Sequence, residues 1–269
     1  MKKYIGFLIG MAIIEIGLSL YLTVWREHFW NAIAQKESLE FIHQLSIFGG
    51  AALLICFVVG LSGYLVRLAA IEWRKSLTAK IGKVPDILNA NQRVQEDCRD
   101  YPDLVLRLSF DFVKSICSLV VFSVALVLAF SYIYLVILVV YCLIGTVIAH
   151  YIAKPLISLN YHSQQAEATY RNNLTISNFS DCVRIMFGLA KKQKHLTYFQ
   201  QFYGQVGILL PILIIAPFYF SSAMTIGLLM RFNSIAVTIV ENTSYGINVF
   251  DQINRLISCR RRLKEIEVI

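Results

Sequence analysis

The sequence predicts an all-α protein built from six membrane-spanning helices, and three observations predict it. Long apolar stretches recur along its 269 residues, most of them near the ~20 residues that cross a bilayer. Only 16% of the residues are charged, well under the roughly 25% of a soluble domain. Of its 25 lysines and arginines, 19 fall in the N-terminus, in 73–101, in 154–200 and after residue 254. Among the segments between, only Arg26, Lys36 and Arg231 fall in loops of the opposite side. This is the positive-inside bias, and it puts both termini in the cytoplasm. It also accounts for the net charge of +8 without nucleic acid as a partner.

The first span is Tyr4–Val24, with Glu15 inside it. Lys2 and Lys3 precede it and no clean small-residue cleavage site comes after it, so it reads as a retained span rather than a signal peptide. Residues 25–41 are expected to form an outside loop whose Trp25, Phe29 and Trp30 suit an interfacial aromatic belt. The second span, Ile42 to about Ile71, is longer than one crossing and is expected to project into the cytoplasm. Glu72, Trp73, Arg74 and Lys75 mark its exit. Residues 76–101 are polar, with Pro85 and Asn89 as breakers, and predict a short helical connection.

The third span runs from about Leu104 to Phe130. Arg107, Asp111 and Lys114 near its start are spaced i, i+4 and i+7, which permits ion pairs along one helix face. Ser131 and Tyr132 are too few for more than a tight antiparallel hairpin into the fourth span, Ile133–Ala153. Helical periodicity resumes after Pro155 and continues through Ser177, predicting a long helix that leaves the membrane with a kink near the proline. Residues 178–200 are cytoplasmic and carry the basic run Lys191, Lys192, Lys194. The fifth span, about 207–230, holds Pro211 and Pro217, which membrane helices tolerate and which make a natural hinge. Arg231, Phe232 and Asn233 then turn the chain into the sixth span, 234–254, within a helix predicted from Ser234 to Arg262. Residues 1–269 thus read as a single transmembrane domain.

The last helix carries the first candidate site. At roughly 100° per residue, Glu241, Ser244, Tyr245, Asn248, Asp251, Gln252 and Arg255 fall on one arc. A carboxylate on a membrane helix is costly, so it usually faces a bundle interior or a water-filled cavity. Glu241 and Asp251 are therefore candidate proton carriers along a polar pathway with Tyr245 and Asn248, or else structural partners of Arg255. Glu15 is a third candidate, unless a local group such as Ser19 satisfies it. The histidines are scattered without metal-ligand spacing, and the six cysteines form no CxxC pair, so no metal is expected. No GxxxxGK[ST] loop is present, so neither a nucleotide cofactor nor ATP hydrolysis is expected of this chain. Nothing places a nucleophile beside a base.

The stretch Gln92-Arg93-Val94-Gln95-Glu96-Asp97, with Trp73-Arg74 upstream, resembles the SbmA/BacA family of bacterial inner-membrane peptide transporters. Glu167-Ala168-Thr169-Tyr170-Arg171-Asn172-Asn173-Leu174 is similar to that family's E-A-x-Y-R-x-x-L stretch. The tail, Arg255 to Glu267, is like its R-L-x-E-x-E ending. The likeness covers roughly residues 25–267. It implies a homodimer whose helices follow the membrane part of an ABC exporter without its ATPase, importing peptides and peptide antibiotics on the proton gradient. Physically, Gln92, Arg93, Glu96 and Asp97 could clamp two cytoplasmic helix extensions through directional Arg–carboxylate pairs. Glu167 and Arg171, one turn apart on either side of Tyr170, read the same way.

The leading expectation is thus a homodimeric, proton-driven transporter of peptides or other bulky solutes in the bacterial inner membrane. One rival is the membrane subunit of an ABC transporter whose ATPase is a separate chain. The other is a non-transporting membrane scaffold.

Overall fold

The structure is a computed structural model describing residues 2–80, 90–173 and 176–265. Within them the order is α1 (Lys2–Gln35), α2 (Ser38–Lys80), α3 (Ala90–Ala129), α4 (Tyr132–Asn173), α5 (Ile176–Phe220), α6 (Ile226–Thr243), α7 (Tyr245–Asn248) and α8 (Phe250–Glu265). No strand occurs among the described residues. Five helices, α1 to α5, are long and apolar enough to cross a membrane. Helix α6 is shorter, at 18 residues. The protein is an all-α polytopic membrane protein. At 1.5 Å per residue, α2 and α5 each extend to about 65 Å, roughly twice the ~30 Å hydrocarbon core.

Two compact units divide the chain: residues 1–135 with 211–269, and residues 136–210. In the first, α1 packs on α2, α3 and α6, while α3 packs on α2, α6 and α8. Its core includes Phe122, Leu126, Phe232, Ile235 and Ile239, each almost wholly buried. The ring of Phe232 meets Phe130 and Tyr134 edge-on, with centroids 5.0 and 5.1 Å away. In the second unit, Tyr141 and Tyr203 stack with centroids 4.7 Å apart, and the Tyr141 hydroxyl donates to the Tyr203 carbonyl at 2.5 Å. The ring of Tyr203 lies where a β-carbon on Gly145 would be, so only glycine admits this contact.

Several boundaries differ from the sequence expectation. Residues 25–35 are not loop but the end of α1. Trp25 is buried, stacked on Phe29 and Phe48, and donates its indole N–H to the Gln44 carbonyl at 2.8 Å. Its aromatic surface packs one helix on the next instead of waiting at an interface. Helix α1 stops at Lys36, whose φ of 58° is left-handed. There Lys36 N–H donates to Ile33 and Glu37 N–H to Ala32, closing the helix end as a Schellman motif.

The fifth-to-sixth turn also moves. It lies at 221–225, not at Arg231–Asn233, which sit inside α6. Ser222, with φ 57°, repeats the same closure at the end of α5. Thr225 then caps α6, its hydroxyl oxygen accepting from the Leu228 N–H at 3.2 Å. Helix α3 begins at Ala90, well before Leu104, and carries the buried Pro102 inside it. Pro85 and Asn89, expected as breakers, lie outside the described residues.

The helix expected from Ser234 to Arg262 is not continuous. It is divided at Ser244 and Val249 into α6, α7 and α8. No proline lies there; the Ser244 N–H still bonds Val240 and the Val249 N–H still bonds Tyr245. Backbone bonding therefore continues across both interruptions, and the residues expected on one polar arc, Glu241 to Arg255, are spread over α6, α7 and α8.

Candidate functional site

Most of the polar chemistry in the first unit gathers along α3. In its middle, Lys114 donates to Glu15 of α1 at 2.9 Å, and both side chains are largely removed from solvent. The second carboxylate oxygen, Glu15 Oε2, is buried and has no hydrogen-bond partner among the described residues. Asp111 sits one turn before Lys114, half-buried and within electrostatic reach of Lys114, Glu15 and Tyr245. The Tyr245 hydroxyl donates to the Leu108 carbonyl at 3.1 Å, and its ring leans on Phe112. One turn further along, Asn242 donates to the buried Ser118 hydroxyl at 3.1 Å and to the Thr238 carbonyl at 2.7 Å.

This arrangement holds two carboxylates and one ammonium in an otherwise apolar helix packing. Lys114 pairs with Glu15, and Asp111 lies within electrostatic reach of both Lys114 and Arg107. Like charges in a shared low-dielectric site resist simultaneous ionisation. Ionisable groups placed inside membrane helices are commonly functional ones.

The sequence-derived candidates scatter around this group. Glu15 belongs to it, with Lys114 as partner in place of Ser19. Tyr245 lies beside it. Glu241 does not: its side chain is exposed, and Asn242, one residue on, turns inward. The side chains of Asn248 and Asp251 lie outside the described residues. Arg255 pairs with Asp100, not with Glu241. Along α3, Arg107 pairs with Asp103 at 3.0 Å, and Lys114 reaches across to α1, so the expected ion pairs with Asp111 do not form. Pro211 and Pro217 lie within α5, and the two compact units part between Leu210 and Pro211.

Three further groups flank the centre. At the end carrying the helix turns, Arg231 of α6 donates to Glu27 of α1 at 2.9 Å, and Arg26 donates to Ser234. Beside them Asn31 accepts from the Gly227 N–H at 3.0 Å. A β-carbon at Gly227 would run into the Glu27 carbonyl oxygen and the Asn31 side chain, so α1 and α6 touch backbone to backbone there. At the opposite end, Asp97 of α3, 4% exposed, accepts a two-pronged bond from Arg262 of α8, at 2.7 and 2.8 Å. Asp100 accepts from Arg99 and Arg255. Leu77, Cys98 and Leu263 form a small buried core under these pairs, with Trp73 and Tyr101 packed against it. Burial pushes the Cys259 thiol up to about 11, with the Asp97 carboxylate adding to it. Arg74 reaches the Gln95 carbonyl at 3.5 Å. Glu96 is exposed. The side chains of Gln92, Arg93, Glu167 and Arg171 lie outside the described residues; Tyr170 packs its ring on Phe179.

Asn242, Ser118 and the Glu27–Arg231 pair are the residues that sequence reasoning missed, and Lys114, expected to pair along its own helix, pairs with Glu15 instead. Lys114 had a signal, since an ammonium inside an apolar stretch needs a counter-charge and Glu15 was the unpaired carboxylate of another span. The separation of 99 residues hid the pairing. No group of three metal-ligating side chains occurs among the described residues.

Comparison with known proteins places this geometry. The profile of the SbmA/BacA-like family matches residues 5–269. The inner membrane ABC transporter ATP-binding protein YddA of Escherichia coli is 25% identical, over 96% of this chain and 55% of its own length. ABC transporter D family member 2, chloroplastic, of Arabidopsis thaliana is 22% identical over 96% of this chain and 41% of its own length. An ABC transporter ATP-binding protein of Haemophilus influenzae is 22% identical, over 83% of this chain and 46% of its own length. The chain spans about half the length of these curated relatives.

Proposed function

The chain belongs to the SbmA/BacA-like family, and from that premise we propose that it is a membrane transporter driven by protons. In this reading it works as a homodimer in the bacterial inner membrane, with both termini cytoplasmic, and carries peptides or other bulky solutes inward. The single observation behind the coupling is the Glu15–Lys114 ion pair at mid-helix, with Asp111 half-buried within electrostatic reach of it. If a cavity between two copies alternates between the aqueous sides, a proton loaded at this group from one side leaves to the other.

Uptake of a labelled proline-rich peptide into cells, with and without an uncoupler, tests the reading. Glu15→Gln keeps the shape and a polar head but cannot cycle a proton. It should abolish uncoupler-sensitive uptake while leaving expression intact. Glu241→Gln is the companion variant, since Glu241 stands exposed on α6, where a partner copy could enclose it. Normal, uncoupler-sensitive uptake in both variants would remove the carboxylates from the mechanism. Orientation is tested separately: a cysteine at Lys36 should react with an impermeant thiol reagent from outside the cell and one at Lys192 should not.

A second reading has its own support, because two of these relatives are named as ATP-binding proteins. The chain would then be the membrane part of an assembly with a separate ATPase. Vanadate-sensitive uptake, and an ATPase co-purifying with the chain, would favour it over proton coupling.

A further inference from the structure

A cleft of about 380 Å³ lies between α2 and α3. Four arginines line it, Arg67 and Arg74 from α2 and Arg99 and Arg107 from α3, with Asp100 and Asp103. The carboxylates are already matched. Asp103 pairs with Arg107 at 3.0 Å, and Asp100 accepts from both Arg99 and Arg255. Neither Arg67 nor Arg74 has a carboxylate partner among the described residues. The cleft therefore carries positive charge that no described carboxylate matches; Arg74 reaches only the Gln95 carbonyl, at 3.5 Å.

Its level in the membrane is set by the sequence around it. On α2 the apolar run ends near Ile71, and Glu72, Trp73, Arg74 and Lys75 come next. On α3 the apolar run begins just past Asp103. The cleft thus straddles the boundary between hydrocarbon and headgroups. Ile71 lines it and is 63% exposed, and Tyr64, two turns away on the same face of α2, is 57% exposed. A guanidinium recognises a phosphate through directional paired hydrogen bonds. A basic pocket between membrane helices at headgroup level, with an apolar face leading from it, matches a phosphodiester that has acyl chains attached.

We propose that the cleft between α2 and α3 binds the phosphate of an anionic phospholipid, held by Arg67 and Arg74, with one acyl chain along Ile71 and Tyr64. This goes beyond the transport reading and does not depend on it, since the site requires only that the protein be in a membrane. Bound lipid would cross-link the ends of α2 and α3 next to the Leu77–Cys98–Leu263 core.

The test is native mass spectrometry of the delipidated full chain in detergent, titrated with dioleoyl phosphatidylglycerol or dioleoyl phosphatidylcholine. Phosphatidylglycerol should bind saturably at one site per chain and phosphatidylcholine should not. A basic residue at a membrane surface is worth about 1 kcal/mol toward an anionic lipid, which is roughly fivefold in affinity. Arg67→Gln should therefore weaken phosphatidylglycerol binding about fivefold, and Arg67→Gln with Arg74→Gln about 25-fold, while Arg67→Lys keeps most of it. Arg67 is exposed and has no ion pair or hydrogen bond among the described residues, so its single variant keeps the measurement interpretable should the double variant fail to fold. Equal binding of both lipids, or unchanged binding in Arg67→Gln, overturns the proposal. Displacement by millimolar inorganic phosphate as efficient as by phosphatidylglycerol assigns the cleft to a free phosphate and overturns the lipid.

Discussion

The two ends of the first compact unit hold the last helices of the chain by different physics. At the turn end α6 is tied to α1, and at the clamp end α8 is tied to α3. The turn end depends on close backbone approach at Gly227, supplemented by the Glu27–Arg231 pair, each partner about one quarter exposed. The clamp end depends on charge, a two-pronged Asp97–Arg262 pair over a three-residue apolar core. Between them the helix is divided at Ser244 and Val249, beside the Glu15–Lys114–Asp111 group. Both halves pack on α3 and α6 packs on α1 as well, with the twice-interrupted segment 244–249 joining them.

The largest expected effect breaks the clamp. Asp97→Asn leaves Arg262, whose side chain is 37% exposed, without its counter-charge. Losing one partner of a fully buried pair costs about 3 kcal/mol, and solvent screening at Arg262 lowers that here. The variant should lose a large part of its heat resistance in detergent, read by the fraction still eluting as folded protein after heating. Arg262→Lys keeps the charge without the fork and should lose less. Cys259 reports the same event chemically. The thiolate is the reactive form, and the native thiol is 1% exposed and raised to about 11. Its reaction with a maleimide should be slow at pH 8 and keep climbing with pH beyond 9, where an ordinary thiol levels off. In Asp97→Asn the reaction at pH 8 should be faster. Native-like heat resistance and labelling in that variant would show that the clamp is ornamental.

A smaller loss is expected at the turn end. Gly227→Ala adds one methyl where the obstacle is the Glu27 backbone oxygen, which cannot swing aside as a side chain can. Overpacking of this kind costs about 1–3 kcal/mol. The comparison predicts a further distinction: added salt should weaken the partly exposed charged clamp more than the steric contact. Gly227→Ala should therefore show the same loss at low and high salt, whereas the stability of the clamp should fall as salt rises. A salt dependence equal at both ends would erase the proposed difference.

Much of this architecture was legible in the sequence, for reasons that also explain what was not. Apolar stretches and low charge reveal an all-α membrane protein because lipid leaves the backbone few alternatives. The Gln92–Asp97 stretch identified the family. The turn between α5 and α6 was hidden because Ser221, Ser222, Ala223 and Met224 interrupt the apolar pattern only weakly, and Thr225 as a cap carries no charge. The Ser244 and Val249 breaks involve no proline, so periodicity ran straight through them. Within α6 itself, Glu241 and Asn242 are one residue and about 100° apart, and the arc took Glu241 as inward where Asn242 turns in. Glu15 was visible as a costly group, but its partner depended on which helix α1 would meet.

The smallest effect concerns the turns themselves, where the two ends differ again. Both left-handed residues found among the described non-glycine positions, Lys36 and Ser222, close helices at the turn end. A side chain in that conformation costs roughly 1–2 kcal/mol, and glycine removes the cost. Glycine also widens the unfolded ensemble, which takes back about 0.4–1 kcal/mol. Neither Lys36 nor Ser222 has an ion pair or side-chain bond among the described contacts to lose. The balance for Lys36→Gly or Ser222→Gly is therefore a gain of about 0.5 kcal/mol, and the two should add because separate turns share no partner. Heat resistance in detergent should rise slightly with each and further with both. A loss in either variant would mean that the left-handed turn is held there by the packing of α1 or α5, and that strain at this end is carried by the helices rather than by the turns.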